Sequence, residues 1–159
     1  MNRFKKVIYV CMGNTCRSPM AATIMRNLMP DMIAESRGMV VLFEEPYNPK
    51  AVAVASQHSM IMTSDVSMQI SNDDFSGETL VLTMDVGMKQ KIYDTFDKAI
   101  NVFFIGEFVG ETDVEIPDPY GKGIEEYSKC FDDIYRLVEK VTVILENEKE
   151  SKDNDSNRM

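Results

Sequence analysis

The chain has 159 residues, 44% apolar and 27% charged, with a formal net charge of -9; this is an ordinary globular makeup, long enough for one domain with a full core. The acidic balance argues against a basic nucleic-acid face and against attraction to an anionic membrane surface, so neither nucleic acid nor membrane is expected as a partner. Three cysteines do not make a secreted disulfide framework, no apolar run approaches the ~20 residues of a membrane span, and the short basic start Met1–Lys6 lacks the length and cleavage site of a leader, so the expected compartment is a reducing cytoplasm.

Strand and helix signals alternate, which predicts an α/β fold with a parallel sheet. Residues 5–11 read as the first strand. Pro19 suits the first turn of a helix; Ala21, Ile24, Met25 and Leu28 recur at helical spacing, and Pro30 marks the end. Val40-Val41-Leu42-Phe43 reads as the second strand, and Asn48 as the cap of a short helix over 49–57. Thr79–Met84 is a continuous apolar run, as in a strand buried on both faces. Asp85 caps a helix over 86–95, and Ile100–Ile105 is the fourth strand. In the final helix Ile124, Tyr127, Phe131, Ile134, Val138, Val141 and Leu145 step by three and four, a continuous apolar stripe. The folded domain is expected over 1–147. Residues 148–159, with almost nothing to bury, are expected as a disordered acidic tail. Thirteen methionines and no tryptophan read as core filling.

The segment with chemical content is 11–18, Cys-Met-Gly-Asn-Thr-Cys-Arg-Ser. It links the first strand to the first helix, so a thiol stands where loop amides and the positive end of a helix dipole converge. Such a point binds a dianion and stabilises a thiolate. Cys11 is then the candidate nucleophile. Arg17 offers a planar fork of donors matched to phosphoryl oxygens. Met12, Gly13, Asn14, Thr15, Cys16 and Ser18 are expected to surround the phosphate; Asn14 tolerates the positive φ that a tight loop needs. Ser18 either caps the helix or hydrogen-bonds Cys11 and helps it leave. A metal site is not expected, because Cys11 and Cys16 are separated by four residues, no second cysteine pair exists and His58 is the sole histidine. A nucleotide P-loop is excluded by the missing Gly-Lys-Ser/Thr ending. No cofactor is expected. Asp118, in Pro117-Asp118-Pro119-Tyr120, is a candidate proton donor to a leaving group, though an aspartate beside proline is also an ordinary turn residue.

These residues resemble the low-molecular-weight protein tyrosine phosphatase family, over about residues 5–145. The family's loop of Cys, five residues, Arg, Ser with Gly-Asn inside matches Cys11, Gly13, Asn14, Arg17 and Ser18. Its late Asp-Pro-Tyr matches Asp118-Pro119-Tyr120, and Ser36, Met84-Asp85 and the long last helix also fall in place. The resemblance implies a three-layer α/β sandwich with a central four-stranded parallel sheet and helices on both faces. It implies a metal-free reaction on a phosphorylated protein, with Cys11 as nucleophile and Asp118 as acid, then base. It also places Leu42 or Phe43 near an aromatic wall opposite Tyr120, a slot suited to a phenyl ring, and allows a reversible disulfide between Cys16 and Cys11. Four positions depart from the pattern: Ala22 stands for Glu, Asp65 for a supporting His, Gly121 for a second tyrosine, and Ser36-Arg37-Gly38 for Ser-Ala-Gly. The expected enzyme is a phosphotyrosine phosphatase, cytoplasmic, and a monomer or weak dimer.

Three alternatives stand beside it. Thr15, where eukaryotic tyrosine phosphatases of the family tend to have Ile, resembles a bacterial branch that acts on phosphoarginine. So does Asp118-Pro-aromatic-Gly121, followed by Ile124-x-x-Tyr127; a hydroxyl at Thr15 can hydrogen-bond a guanidinium. Arsenate reduction would need two further cysteines in relay, and beyond the loop only Cys130 remains. A dead phosphate-binding module is disfavoured by intact Cys11, Arg17 and Asp118.

Overall fold

The computed structural model describes residues 3–62 and 66–157; Asp65 lies outside the described residues. Four strands, β1 (Lys6–Cys11), β2 (Ile33–Gly38), β3 (Thr79–Thr83) and β4 (Val102–Phe104), form one parallel sheet in the order β2-β1-β3-β4. The helices are α1 (Arg17–Leu28), α2 (Pro49–Gln57), α3 (Val86–Thr95), the single turn α4 (Ile105–Phe108) and α5 (Ile124–Asn157). The chain leaves β1 sideways to β2, then returns past β1 to β3 and β4. Right-handed crossovers therefore put α1 and α3 on opposite faces. They also make the carboxyl ends of β1 and β3 the switch point where such sheets open a crevice.

Local chemistry explains most of these elements. Asn48 caps α2, its side chain accepting from the Lys50 amide at 2.8 Å, and Asp85 caps α3 through the Met88 amide at 2.9 Å. The stripe on α5 is buried from Tyr127 to Leu145 and packs against α1 and α2. Met20, Met25, Met84 and Met88 fill the core, but Met12 and Met68 are 42% and 51% exposed.

Two expectations are corrected. The second strand is 33–38, not 40–43. In β2 the buried residues are the small Ala34, Ser36 and Gly38, alternating with exposed Ile33 and half-buried Glu35 and Arg37. A strand that buries only small side chains carries no apolar run, whereas Val40, Leu42 and Phe43 are exposed. In place of the disordered tail over 148–159, α5 continues as helix through Asn157; the glutamates and lysines there are good helix formers with no proline or glycine to stop them.

Candidate active site

Strand β1 ends at Cys11, which pairs with Gly38 of β2 and is 3% exposed. Residues 12–16 turn the chain into α1. Unlike α2 and α3, α1 has no side-chain cap: Cys16 holds the cap position without a side-chain hydrogen bond. The first-turn N–H groups of α1 thus stay free of a side-chain acceptor beside the thiol, where their partial positive charge favours an anion.

A buried network holds this loop. Asn14 sits at φ 57°, fully buried. Its Nδ2 donates to Ser18 Oγ at 2.8 Å and its Oδ1 accepts from the Met68 amide at 2.9 Å. Ser18 Oγ lies 2.9 Å from Cys11 Sγ and 3.2 Å from the Arg37 carbonyl. The hydroxyl has one proton for two acceptors, so a thiolate at Cys11 draws it. Ser18 therefore does not cap α1; it is the hydrogen-bond partner of Cys11. Asn14 and Ser18, expected around the phosphate, do not line the cleft but support its floor from below. Arg37, the departure from Ser-Ala-Gly, is bonded to Glu35 at 2.7 Å and Asp74 at 3.2 Å, which fixes the carbonyl that Ser18 uses.

Arg17 is 5% exposed, yet it lines the cleft. Its Nη1 donates to the Ile116 carbonyl at 2.8 Å, and its Nη2 lies 3.8 Å from Asp118 Oδ2. The Ile116 amide in turn donates to the Met84 carbonyl at the end of β3. The two sheet ends thereby bring the 11–18 loop and the Asp118 segment together across 100 residues of sequence. Asp118 itself is half-exposed and accepts from the Tyr120 amide at 3.0 Å. Pro119–Lys122 forms a turn closed by a 3.0 Å hydrogen bond, with Gly121 at φ +80°. That is the third position of a type II turn, where a second tyrosine would be strained.

These pieces enclose a cleft of about 400 Å³, lined by Cys11, Met12, Gly13, Thr15, Cys16 and Arg17 below, by Val40–Phe43 and Glu45 on one wall and by Asp118 and Tyr120 on the other. Leu42, Phe43 and Tyr120 all line the cleft and are largely exposed. Ser67 and Gln69 were missed. Ser67 Oγ accepts from the Glu45 amide at 2.9 Å, while the Gln69 side chain accepts from the Val41 amide and donates to the Met39 carbonyl, both at 2.8 Å. The polar-apolar alternation of Val66-Ser67-Met68-Gln69-Ile70 was the available signal. The Cys16 thiol lines the cleft; the neighbouring Cys130 of α5 and then burial push it far above the ordinary thiol range. Among the described residues no group of three or more His, Cys, Asp or Glu side chains could hold a metal ion.

A buried thiol beside an arginine, at the switch point of a parallel sheet and with a carboxylate facing it, defines a phosphatase of the cysteine-nucleophile class. The family model for low molecular weight phosphotyrosine protein phosphatase matches residues 6–152, and the chain belongs to that family. It is 32% identical over 136 residues to the low molecular weight protein-tyrosine-phosphatase PtpB of Staphylococcus epidermidis, covering 86% of this chain and 96% of that protein. Among solved structures, YwlE arginine phosphatase from Geobacillus stearothermophilus superposes with a TM-score of 0.85 at 30% identity, over 92% of this chain and 96% of that one. Low molecular weight protein tyrosine phosphatase from T. tengcongensis does so at 0.80 and 32% identity, over 88% and 99%. The chain is accordingly a phosphatase enzyme acting on phosphorylated protein. None of its described helices is long and apolar enough to cross a membrane.

Proposed function

We propose that the chain hydrolyses phosphotyrosine in proteins through a phosphocysteine at Cys11. The observation that carries this reading is the convergence on one cleft of Cys11, backed by Ser18, and Arg17 from one segment and of Asp118 from a distant one. The Cys11 thiolate attacks phosphorus, with the phosphoryl oxygens held by Arg17 and the amides of the loop. Asp118 gives its proton to the departing phenol oxygen. In the second step Asp118, now a carboxylate, takes a proton from water as that water attacks the phosphocysteine, and the Ser18 hydroxyl donates to the returning thiolate. Phe43 and Tyr120 flank the entering ring. The enzyme acts in the cytoplasm as a monomer or weak dimer.

A second substrate, phosphoarginine, is favoured by Thr15: its position in the cleft lining lets its hydroxyl meet a guanidinium, and one of the similar structures is an arginine phosphatase. The same nucleophile and acid would then cleave a P–N bond, with Asp118 protonating nitrogen. The test is kcat/KM on matched phosphotyrosine and phosphoarginine peptides for the wild type and Thr15→Ile, with Cys11→Ser as the blank. A tyrosine preference of ~10-fold or more in both forms supports the first reading. An arginine preference that collapses in Thr15→Ile establishes the second.

A further inference from the structure

Arg37 stands in β2 where the family pattern has alanine. Its side chain is only 14% exposed, and each guanidinium nitrogen finds an acceptor inside the protein. Nη2 donates to Glu35 at 2.7 Å, Nη1 to the Ser36 carbonyl at 2.8 Å and Nε to Asp74 Oδ1 at 3.2 Å. Asp74 is held in turn, its Oδ2 accepting from the Ser71 amide at 3.0 Å. The fork thus ties β2 to the 3-10 turn Asn72–Asp74. The main-chain hydrogen bonds between β2 and residues 66–70 meet at Gly38: its amide donates to the Met68 carbonyl at 2.8 Å, and its carbonyl accepts from the Ile70 amide at 3.0 Å. These two segments anchor the Asn14–Ser18 pair. Met68 gives its amide to Asn14, and Arg37 offers its carbonyl to Ser18.

We propose that Arg37 is a positioning residue for the second chemical step: its fork clamps the two anchors together and so holds the Ser18 hydroxyl where it donates to Cys11 as that sulfur leaves phosphorus. The proposal rests on the phosphocysteine reading. In that step water oxygen bonds phosphorus, the P–S bond breaks with its electron pair on sulfur, and the water proton goes to Asp118. Asn14 Nδ2 already donates to Ser18 Oγ, so the hydroxyl proton faces either Cys11 Sγ at 2.9 Å or the Arg37 carbonyl at 3.2 Å. Release of the fork frees the carbonyl and the Asn14 anchor to move apart, and Ser18 loses its hold on the sulfur. The two steps then respond differently. The first consumes the thiolate charge, and a less stabilised thiolate attacks at least as well. The second returns the charge to sulfur, and a less stabilised thiolate leaves more slowly. Arginine suits the task because its planar fork reaches several acceptors at fixed angles, which a lysine does not.

The test follows the full chain on 4-nitrophenyl phosphate, a substrate whose leaving group needs no proton, so that hydrolysis of the phosphocysteine limits turnover. Steady-state kinetics is paired with acid quench and mass spectrometry of Cys11. Arg37→Met and Asp74→Asn open the clamp from its two sides. The second leaves one oxygen for two donors without a change of size, and it carries the test if the first does not fold. Each variant should lower kcat by roughly 3- to 10-fold, the scale of one weakened hydrogen bond. Each should lower KM by the same factor and leave kcat/KM within about twofold of wild type. At a substrate concentration equal to the wild-type KM, the fraction of enzyme trapped as phosphocysteine should rise. The double variant should be no slower than the slower single one, because both break one clamp. A fall in kcat/KM with KM unchanged or raised means general loosening and overturns the proposal. So does a lower melting temperature with kcat and KM unmoved, or two single effects that multiply in the double variant. A wild type that turns over but traps no phosphate on Cys11 defeats the phosphocysteine reading, and the role of Arg37 falls with it; that failure shows in the wild type alone, so the two are told apart.

Discussion

Under the cleft, Asn14 and Ser18 are fully buried and tied to three other segments, whereas across it Leu42 and Phe43 are 81% and 79% exposed. Both regions shape the same cleft, but they are held differently. In the floor, side-chain hydrogen bonds hold the groups behind Cys11, and nucleophilic attack is sensitive to misplacements of about 1 Å. At the mouth, Ser67 and Gln69 bond only the backbone of the 39–45 wall and leave its side chains free. A floor of this kind sets the reaction, and a wall of this kind sets what enters. Substitutions should separate along that line, those in the floor reading out in kcat and those in the wall in KM.

The largest effect belongs to Cys11→Ser, expected to lower kcat by ~10⁴-fold or more while inorganic phosphate still binds. Isothermal titration with phosphate checks the second half; clear residual turnover would move the nucleophile elsewhere. Asp118→Asn comes next, at ~10² to 10⁴-fold in kcat. Asp118 sits on the wall side by position, so this variant tests whether chemistry or location decides its class. The loss should shrink on aryl phosphates with good leaving groups, which need no proton, and a loss independent of the leaving group would remove the acid role.

Gly38→Ala probes the point where floor and wall meet. A methyl there would come within 2.6 Å of Val41 Cγ2 and 3.0 Å of both Asn14 Cβ and the Gly13 carbonyl carbon. Overpacking of this kind costs about 1–3 kcal/mol, and the backbone of Gly13 is the part least able to yield. Thermal denaturation should show the stability loss, and kcat and KM should worsen together, unlike any substitution confined to one region.

Much of this arrangement is readable in the chain because the floor is local. Cys11, Arg17 and Ser18 lie within one strand-loop-helix unit, and the caps Asn48 and Asp85 act on amides two or three residues away. The wall is not local. Val40–Phe43 carries a strand's composition but no strand partner, because the hydrogen-bonding edge of β1 is taken by β2, whose buried residues are small and leave no hydropathy signal. Ser67 and Gln69 act on residues 22 to 30 positions away, a relation that no spacing rule encodes. The Asp118 segment was placed by resemblance; physically it depends on the Ile116 amide finding the end of β3 and its carbonyl finding Arg17.

The smallest expected effect sharpens the comparison most. Phe43 lines the cleft yet is exposed over most of its surface, so Phe43→Ala removes little buried area and should leave the melting temperature unchanged. Its contribution arises only when a substrate ring covers it. An aromatic pair is worth ~0.5–1.5 kcal/mol beyond the burial of its area. For a phosphotyrosine peptide that predicts a KM higher by roughly 3- to 10-fold with kcat unaltered. A phosphoarginine peptide, with no ring to stack, should lose less. Steady-state kinetics on both peptides decides it. A fall in kcat at constant KM would mean that the wall helps to position the phosphoryl group, and the division between a fixed floor and a permissive rim would fail at the residue where it should be clearest.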